Sequence, residues 1–287
     1  MIETQNLTHI YMQGGPFEQV ALRQINVKIP ENKMVGIIGH TGSGKSTFIQ
    51  HLNGLLKPHH GRILLDGEEI PKSGAGLKAL RFSVGLVFQY PEHQLFEETV
   101  YRDIAFGPSN MKLSREEVDE RVRRAAKLTG IGEELFDRSP FELSGGQKRR
   151  VAIAGILAME PQVLILDEPT AGLDPIGRDE ILNNIVAIQK ERKNTVLLVS
   201  HSMEDVARTC DEVLVFNHGT LFASGTVDEV FARSEELNEI GLSVPQAAKI
   251  ADGLRKAGIA LPQNLYTVDA LCDALLPLLS QGGVCHD

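Results

Sequence analysis

Gly39-His40-Thr41-Gly42-Ser43-Gly44-Lys45-Ser46 has the glycines, lysine and hydroxyl of a loop that wraps phosphate groups. Its flanks have the required order. The apolar run Met34-Val35-Gly36-Ile37-Ile38 reads as a strand, and Ser46-Thr47-Phe48-Ile49-Gln50-His51-Leu52 places apolar residues at helical spacing. Gly42 and Gly44 let the backbone turn its N–H groups inward, and the helix start adds the positive end of its dipole. Lys45 should then reach the β- and γ-phosphates of a nucleotide, with the Ser46 hydroxyl on Mg²⁺. Gly39, His40, Thr41, Ser43 and Thr47 complete the expected nucleotide-contacting stretch.

A bound nucleotide also needs a second metal ligand and a group that acts on water. Val163-Leu164-Ile165-Leu166-Asp167-Glu168 supplies both. Its apolar run reads as a fully buried parallel strand, so the carboxylates emerge at the C-terminal end, where open α/β sheets bind ligands. Asp167 is expected on Mg²⁺, and Glu168 is expected to orient or deprotonate water in line with the γ-phosphate.

Leu143-Ser144-Gly145-Gly146-Gln147 precedes a helix expected over Lys148 to Met159 and offers a hydroxyl and bare N–H groups at a positive helix end. Together with the other two motifs, it makes the chain resemble the nucleotide-binding subunits of ATP-binding cassette (ABC) transporters. The resemblance implies ATP and Mg²⁺ as cofactors and two subunits that sandwich two nucleotides head to tail. Ser144, Gly145, Gly146 and Gln147 of one subunit would cover the γ-phosphate held by the other. Further family elements match in chain order. Gln89, in Val87-Phe88-Gln89-Tyr90, corresponds to a glutamine that contacts Mg²⁺ or water and senses the membrane partner. Ala171-Gly172-Leu173-Asp174 corresponds to the loop that crosses the dimer interface. His201, after the strand Thr195-Val196-Leu197-Leu198-Val199, corresponds to the histidine that hydrogen-bonds the γ-phosphate. Tyr11 matches the aromatic that stacks on adenine, with Phe17 a close competitor.

The stretch Tyr90-Pro91-Glu92-His93-Gln94-Leu95-Phe96-Glu97-Glu98-Thr99-Val100 narrows the resemblance. With His40-Thr41 and Phe141-Glu142, it is similar to the second of two ATPase paralogues in energy-coupling factor (ECF) importers of vitamins and metals. That implies a paralogous ATPase as partner in a heterodimer, a transmembrane T protein and a substrate-binding S subunit. The place implied is the cytoplasmic side of the cell membrane. In the family this stretch receives the T protein's coupling helices, and Glu92, Glu97 and Glu98 could each pair with an arginine there.

Composition fits a cytosolic protein. No apolar run reaches the roughly 18 to 20 residues that span a bilayer, and Met1-Ile2-Glu3-Thr4 lacks a basic and apolar leader. Cys210, Cys272 and Cys285 have no paired or metal-like spacing and read as reduced thiols. A net charge of −9 argues against general nucleic-acid binding. The basic groups Lys148-Arg149-Arg150 and Arg121, Arg123 and Arg124 read as solvated helix faces.

The expected fold is α/β, a P-loop ABC ATPase with a mainly parallel core sheet from the segments around Gly36, Val84 to Phe88, Val163 to Leu166 and Thr195 to Val199. Residues 1–30, Gly61 to Ile70 and Val213 to Ser224 should form an antiparallel layer. A helical arm over about residues 95–160 should carry the signature, with a capping box at Ser114 to Glu117. Residues 1–235 make the ATPase domain and residues 236–287 a helical extension. Ser243-Val244-Pro245-Gln246 should open a helix with Ala247, Ile250, Ala251 and Leu254 on one side, and a second helix should run from Val268 through Leu278. Two such helices make too small a core alone, so they pack on their own cassette or clasp the partner ATPase. Competing functions are the ATPase of an ordinary ABC importer or exporter, a soluble ABC-type mechanical clamp, and a non-catalytic subunit. The clamp would favour long coiled-coil insertions, two cassettes or a basic face.

Overall fold

The computed structural model describes residues 1–281. Its strands, in chain order, are β1 (Ile2–Tyr11), β2 (Gln19–Ile29), β3 (Met34–Gly39), β4 (His60–Leu65), β5 (Glu68–Glu69), β6 (Val84–Val87), β7 (Val163–Asp167), β8 (Thr195–Val199), β9 (Glu212–Asn217) and β10 (Thr220–Thr226). They sort into a four-stranded antiparallel sheet, β2-β1-β4-β5, and a six-stranded sheet, β10-β9-β3-β8-β7-β6. Burial explains the sorting. β3, β7 and β8 are buried along their whole length, as strands covered on both faces must be. β1 alternates between buried and more accessible residues, as a strand with one open face does.

Register in the larger sheet decides where chemistry can occur. Ile37 of β3 and Asp167 of β7 both pair with Val199 of β8. The loops leaving these three strands therefore start along one rim. Two backbone bonds fasten them there: Glu168 N–H to the Val199 carbonyl and Ser200 N–H to the Ile37 carbonyl.

One assignment is corrected. Val213 to Ser224 does not join the antiparallel layer; β9 pairs in parallel with β3, and β10 folds back on β9 as the sheet edge. The His218-Gly219 turn locates the hairpin but not its sheet, and Ser224-Gly225 lies within β10 and makes no turn. The Asp211 side chain and backbone, both bonded to Met34, fix β9 beside β3.

The helices are α1 (Lys45–Leu52), α2 (Gly74–Ser83), α3 (Val100–Ser109), α4 (Arg115–Leu128), α5 (Gly145–Leu157), α6 (Pro175–Arg192), α7 (Met203–Thr209), α8 (Val227–Phe231), α9 (Ser234–Glu239), α10 (Gln246–Lys256) and α11 (Val268–Gln281). The arm is α3, α4 and α5, packed through Ile104, Val122, Ala126, Val151 and Ala154. The capping box at Ser114 and Glu117 is present. The signature helix begins earlier than expected, because Ser144 is the N-cap and Gly145, Gly146 and Gln147 form its first turn.

The C-terminal helices dock on their own cassette. Leu242, Val244 and Ala248 share a core cluster with Val206, Val215 and Phe231, while Ala247 and Ala251 pack with Leu265 and Leu271. Ile250 does not join them and is 51% exposed; the buried face of α10 runs through Ala247, Ala248 and Ala251 instead. Small residues allow close approach there. Burial pushes the Cys210 thiol up to about 12, and Cys272 is an exposed free thiol. Cys285 lies outside the described residues. No described helix is long and apolar enough to cross a membrane.

Candidate nucleotide site

Gly44, just before α1, is left-handed (φ 106°), and a Cβ there would lie 2.7 Å from the Ala21 carbonyl oxygen. Only glycine lets the loop turn this closely under β2. No side chain caps α1, so its first N–H groups are left for a ligand. The loop borders a cleft of about 350 Å³ where Tyr11, Thr41, Gly42, Gly44, Lys45, Ser46, Thr47, Gln89, Glu168 and His201 meet. Gln19 and Ala21 of β2 also line it; nothing in their types marked them beforehand.

Lys45 Nζ donates to the carbonyl oxygens of Gly39 and His40 at 2.7 and 2.9 Å. Burial holds its pKa below the usual lysine value, against the opposing pull of the Glu168 and Asp167 charges. Asp167 is 6% exposed; burial and then the neighbouring Glu168 charge push its carboxyl up, while a hydrogen bond with Ser46 pulls it down. A buried carboxylate beside a hydroxyl is a set of hard oxygen donors that suits Mg²⁺.

Glu168 sits at φ 51°, a left-handed conformation uncommon for a side-chain-bearing residue. Its carboxylate is held from both sides: Gln89 Nε2 donates to one oxygen at 3.0 Å, and His201 Nε2 lies 2.6 Å from the other. Tyr11 forms the far wall, its hydroxyl 3.2 Å from Thr47 Oγ1 and its ring edge-on to His9. Phe17 lies 78% exposed in the turn after β1.

Asp167, at the end of β7, does not line the cleft, and within the phosphate loop three predicted residues place no side chain against it. Gly39 has none. The Ser43 hydroxyl is buried without a partner beside Gly39, and the His40 ring turns away to bond the Ile240 carbonyl oxygen. Any part that Ser43 and His40 play in phosphate binding is through their backbone. Ser144, Gly145, Gly146 and Gln147 lie at the start of α5 and do not line this cleft; their first turn is closed by a reciprocal box between Ser144 and Gln147.

The model of the ABC transporter family matches residues 22–171. The energy-coupling factor transporter ATP-binding protein EcfA2 of Caldanaerobacter subterraneus subsp. tengcongensis is 56% identical over 278 residues, 97% of each chain. The chain belongs to the EcfA2 family of ABC transporter ATPases. The EcfA2 protein of Clostridium tetani is 52% identical, again over 97% of both chains. Among solved structures, cbiO1 of Clostridium perfringens, part of the ABC transporter complex cbiONQ, is 44% identical with a TM-score of 0.74, covering 88% of this chain and 98% of that one. The ATP-binding cassette MJ0796, solved as a dimer in a post-hydrolysis state with ADP and Pi, is 27% identical with a TM-score of 0.71, covering 79% and 99%.

In this EcfA2-type chain, the sequence reading missed Arg149. It belongs to a basic run expected to be solvated, yet it is 3% exposed. It makes a two-pronged contact with Glu92 at 2.8 and 3.1 Å and donates to the Pro169 and Ala171 carbonyl oxygens. One guanidinium thus ties the signature helix to the turn after Gln89 and to the loop after Glu168. Glu92 is therefore engaged inside the subunit. Burial alone would raise its carboxyl pKa, but Arg149 holds it below the usual value. Glu98, just before α3, pairs with Arg102 in the first turn of that helix.

Proposed function

We propose that this ATPase drives an energy-coupling factor transporter for uptake of vitamins or other micronutrients. In this reading, it works on the cytoplasmic face of the membrane as a heterodimer with a paralogous ATPase, bound to a T-type membrane protein and a small S subunit. Residues 1–235 form the motor and residues 236–287 the extension. The observation that carries the reading is the convergence of Lys45, Gln89, Glu168 and His201 on one cleft, in a chain whose EcfA2 relatives match along almost its whole length.

The free N–H groups of the loop and Lys45 hold the β- and γ-phosphates, and Tyr11 stacks on the adenine. Ser46, Asp167 and Gln89 are the residues that would hold Mg²⁺. When bound, Mg²⁺ neutralises charge shared by the β- and γ-phosphates. Glu168 orients a water and accepts its proton as the water oxygen bonds the γ-phosphorus and the bond from that phosphorus to the β-phosphate oxygen breaks, leaving ADP and phosphate. Gln89 and His201, which now hold the Glu168 carboxylate, keep it aimed; His201 then turns its N–H to the γ-phosphate oxygen. The partner's signature turn closes the opposite side, and hydrolysis loosens that contact. Arg149 carries the movement between the arm and the Gln89 turn.

Gentle isolation from the native membrane, followed by mass spectrometry of the companions, tests the assignment. Recovery of a second ABC ATPase, a T-type membrane protein and small binding subunits supports it. Recovery with a two-domain permease or with ribosomes would move the chain to one of the competing functions.

A further inference from the structure

The chain between α9 and α10 touches both loops that must meet the γ-phosphate. At one end, the Nε2–H of His40, within the phosphate loop, donates to the Ile240 carbonyl oxygen. Gly241 lies directly against that ring: it is left-handed (φ 76°), and a Cβ there would come within 3.2 Å of the His40 Cε1 and Nε2 atoms. At the other end, Gln246 N–H donates to Glu204 Oε1 at 3.1 Å, and Glu204 is in the first turn of α7, which follows His201. Between these ends, Leu242 and Val244 are buried in one cluster with Ile38, Met203 and Val206. Ile38 leads into the phosphate loop, and Met203 starts the helix after His201.

We propose that residues 240–246 form a strap that sets the spacing between the phosphate loop and the His201 loop. His40 is a positioning residue for hydrolysis in this arrangement and acts through the strap, not on the nucleotide. Three features of the geometry support it. The His40 side chain faces away from the cleft, no hydrogen bond among the described residues joins the strap to a residue lining the cleft, and both of its polar anchors lie next to loops bearing catalytic groups. A reacting group displaced by about 1 Å can lose much of its rate while binding persists. The strap therefore acts on kcat more than on ATP affinity, and it gives the extension a role within its own subunit. This inference rests on the ATPase reading of the cleft.

The test uses the assembled transporter, with steady-state ATP turnover and equilibrium nucleotide binding measured on the same preparations. His40→Ala and Glu204→Ala each should lower kcat about 3- to 10-fold, the worth of one hydrogen bond, with the ATP dissociation constant changed less than about 2-fold. His40→Gln, whose amide N–H can reach the Ile240 carbonyl, should restore most of the rate. The double variant should be no slower than either single one, because a strap cut at one end is already slack. Unchanged kcat in both single variants overturns the proposal. So does a loss of ATP affinity equal to the loss of rate, or a His40→Gln variant as slow as His40→Ala. Should His40→Ala fail to fold, the same split in Glu204→Ala decides. Glu168→Gln in parallel separates the two ideas: the partner ATPase keeps its own turnover, so if that change removes none of the measured rate, the ATPase reading fails and the strap with it.

Discussion

Two helix N-termini to which the proposed mechanism gives phosphate contacts are built in opposite ways. α1 starts from a left-handed glycine, with no side chain capping its first turn. α5 starts from Ser144, whose hydroxyl accepts from Gln147 N–H while the Gln147 side chain accepts from Ser144 N–H. The first is left open for a ligand; the second is closed by the protein itself. A helix end without a cap keeps its donors and dipole available to an anion, at the cost of being less stable alone. A capped end keeps its shape without ligand, which suits the proposed role of meeting a nucleotide held by another subunit. Arg149, five residues along from Ser144, adds a buried clamp that α1 lacks.

The comparison predicts a graded set of effects. The largest belong to the open end. Lys45→Ala should abolish most nucleotide affinity, and Glu168→Gln should retain ATP while turnover falls about 10²- to 10⁴-fold. Nucleotide binding and phosphate release assays check both; rapid turnover by Glu168→Gln would break the assignment of roles.

Next comes the clamp on the closed end. Arg149→Ala leaves Glu92 without its partner and should destabilise the fold by about 3–5 kcal/mol, read by thermal or denaturant unfolding. Because the folded Glu92 pKa is depressed, the contribution of the pair is present above the unfolded carboxylate pKa and fades as pH falls through the folded value. The gap between wild type and Arg149→Ala should therefore narrow in acid. A gap that is the same at all pH values would mean that packing, not charge, dominates.

A smaller effect separates the two caps directly. Ser144→Ala removes a built-in cap and should cost about 1 kcal/mol whether or not nucleotide is present. ATP at about 100 times its dissociation constant should add about 2.7 kcal/mol to wild type and almost nothing to Lys45→Ala. If Ser144→Ala costs nothing in the unliganded protein, the closed end is not self-supporting and the contrast fails.

The smallest effect lies at Asp167. Its carboxyl titrates above the usual value in the folded chain, so the folded state binds the proton more tightly, and stability falls as pH rises from the unfolded pKa through the folded one. Asp167→Asn should therefore raise the melting temperature of the unliganded protein, by about 2 °C or less, above that range and not below it. The same variant should lose the stabilisation that Mg²⁺ adds to ATP. No rise at neutral pH would show that the hydrogen bond with Ser46 offsets the burial of the charge.

The contiguous parts of the site were legible in the sequence for a physical reason. The turn of a glycine loop, the start of α1 and the capping box at Ser114 depend on residues a few positions apart. The buried runs of β3, β7 and β8 likewise announce themselves by having no polar face. The box at Ser144 was also written in the Ser-x-x-Gln spacing, although the helix was expected to begin only at Lys148. By contrast, Arg149 gives no local sign of burial, because its neighbours Lys148 and Arg150 have the same character and lie on less covered faces of the same helix. Glu92 looked equally free to face outward, and nothing near Val213 says which sheet its strand will join.

What the sequence determined by itself was the set of groups available for ATP chemistry and the local backbone that presents them, since φ and ψ at a glycine or a cap answer mainly to near neighbours. Tertiary structure decided their arrangement. It brought Gln89 to Glu168 across 79 residues of chain, turned His40 from the nucleotide to Ile240, and paired Arg149 with Glu92. These outcomes depend on strand order and on which charges lose water together, and both are settled only when distant segments pack.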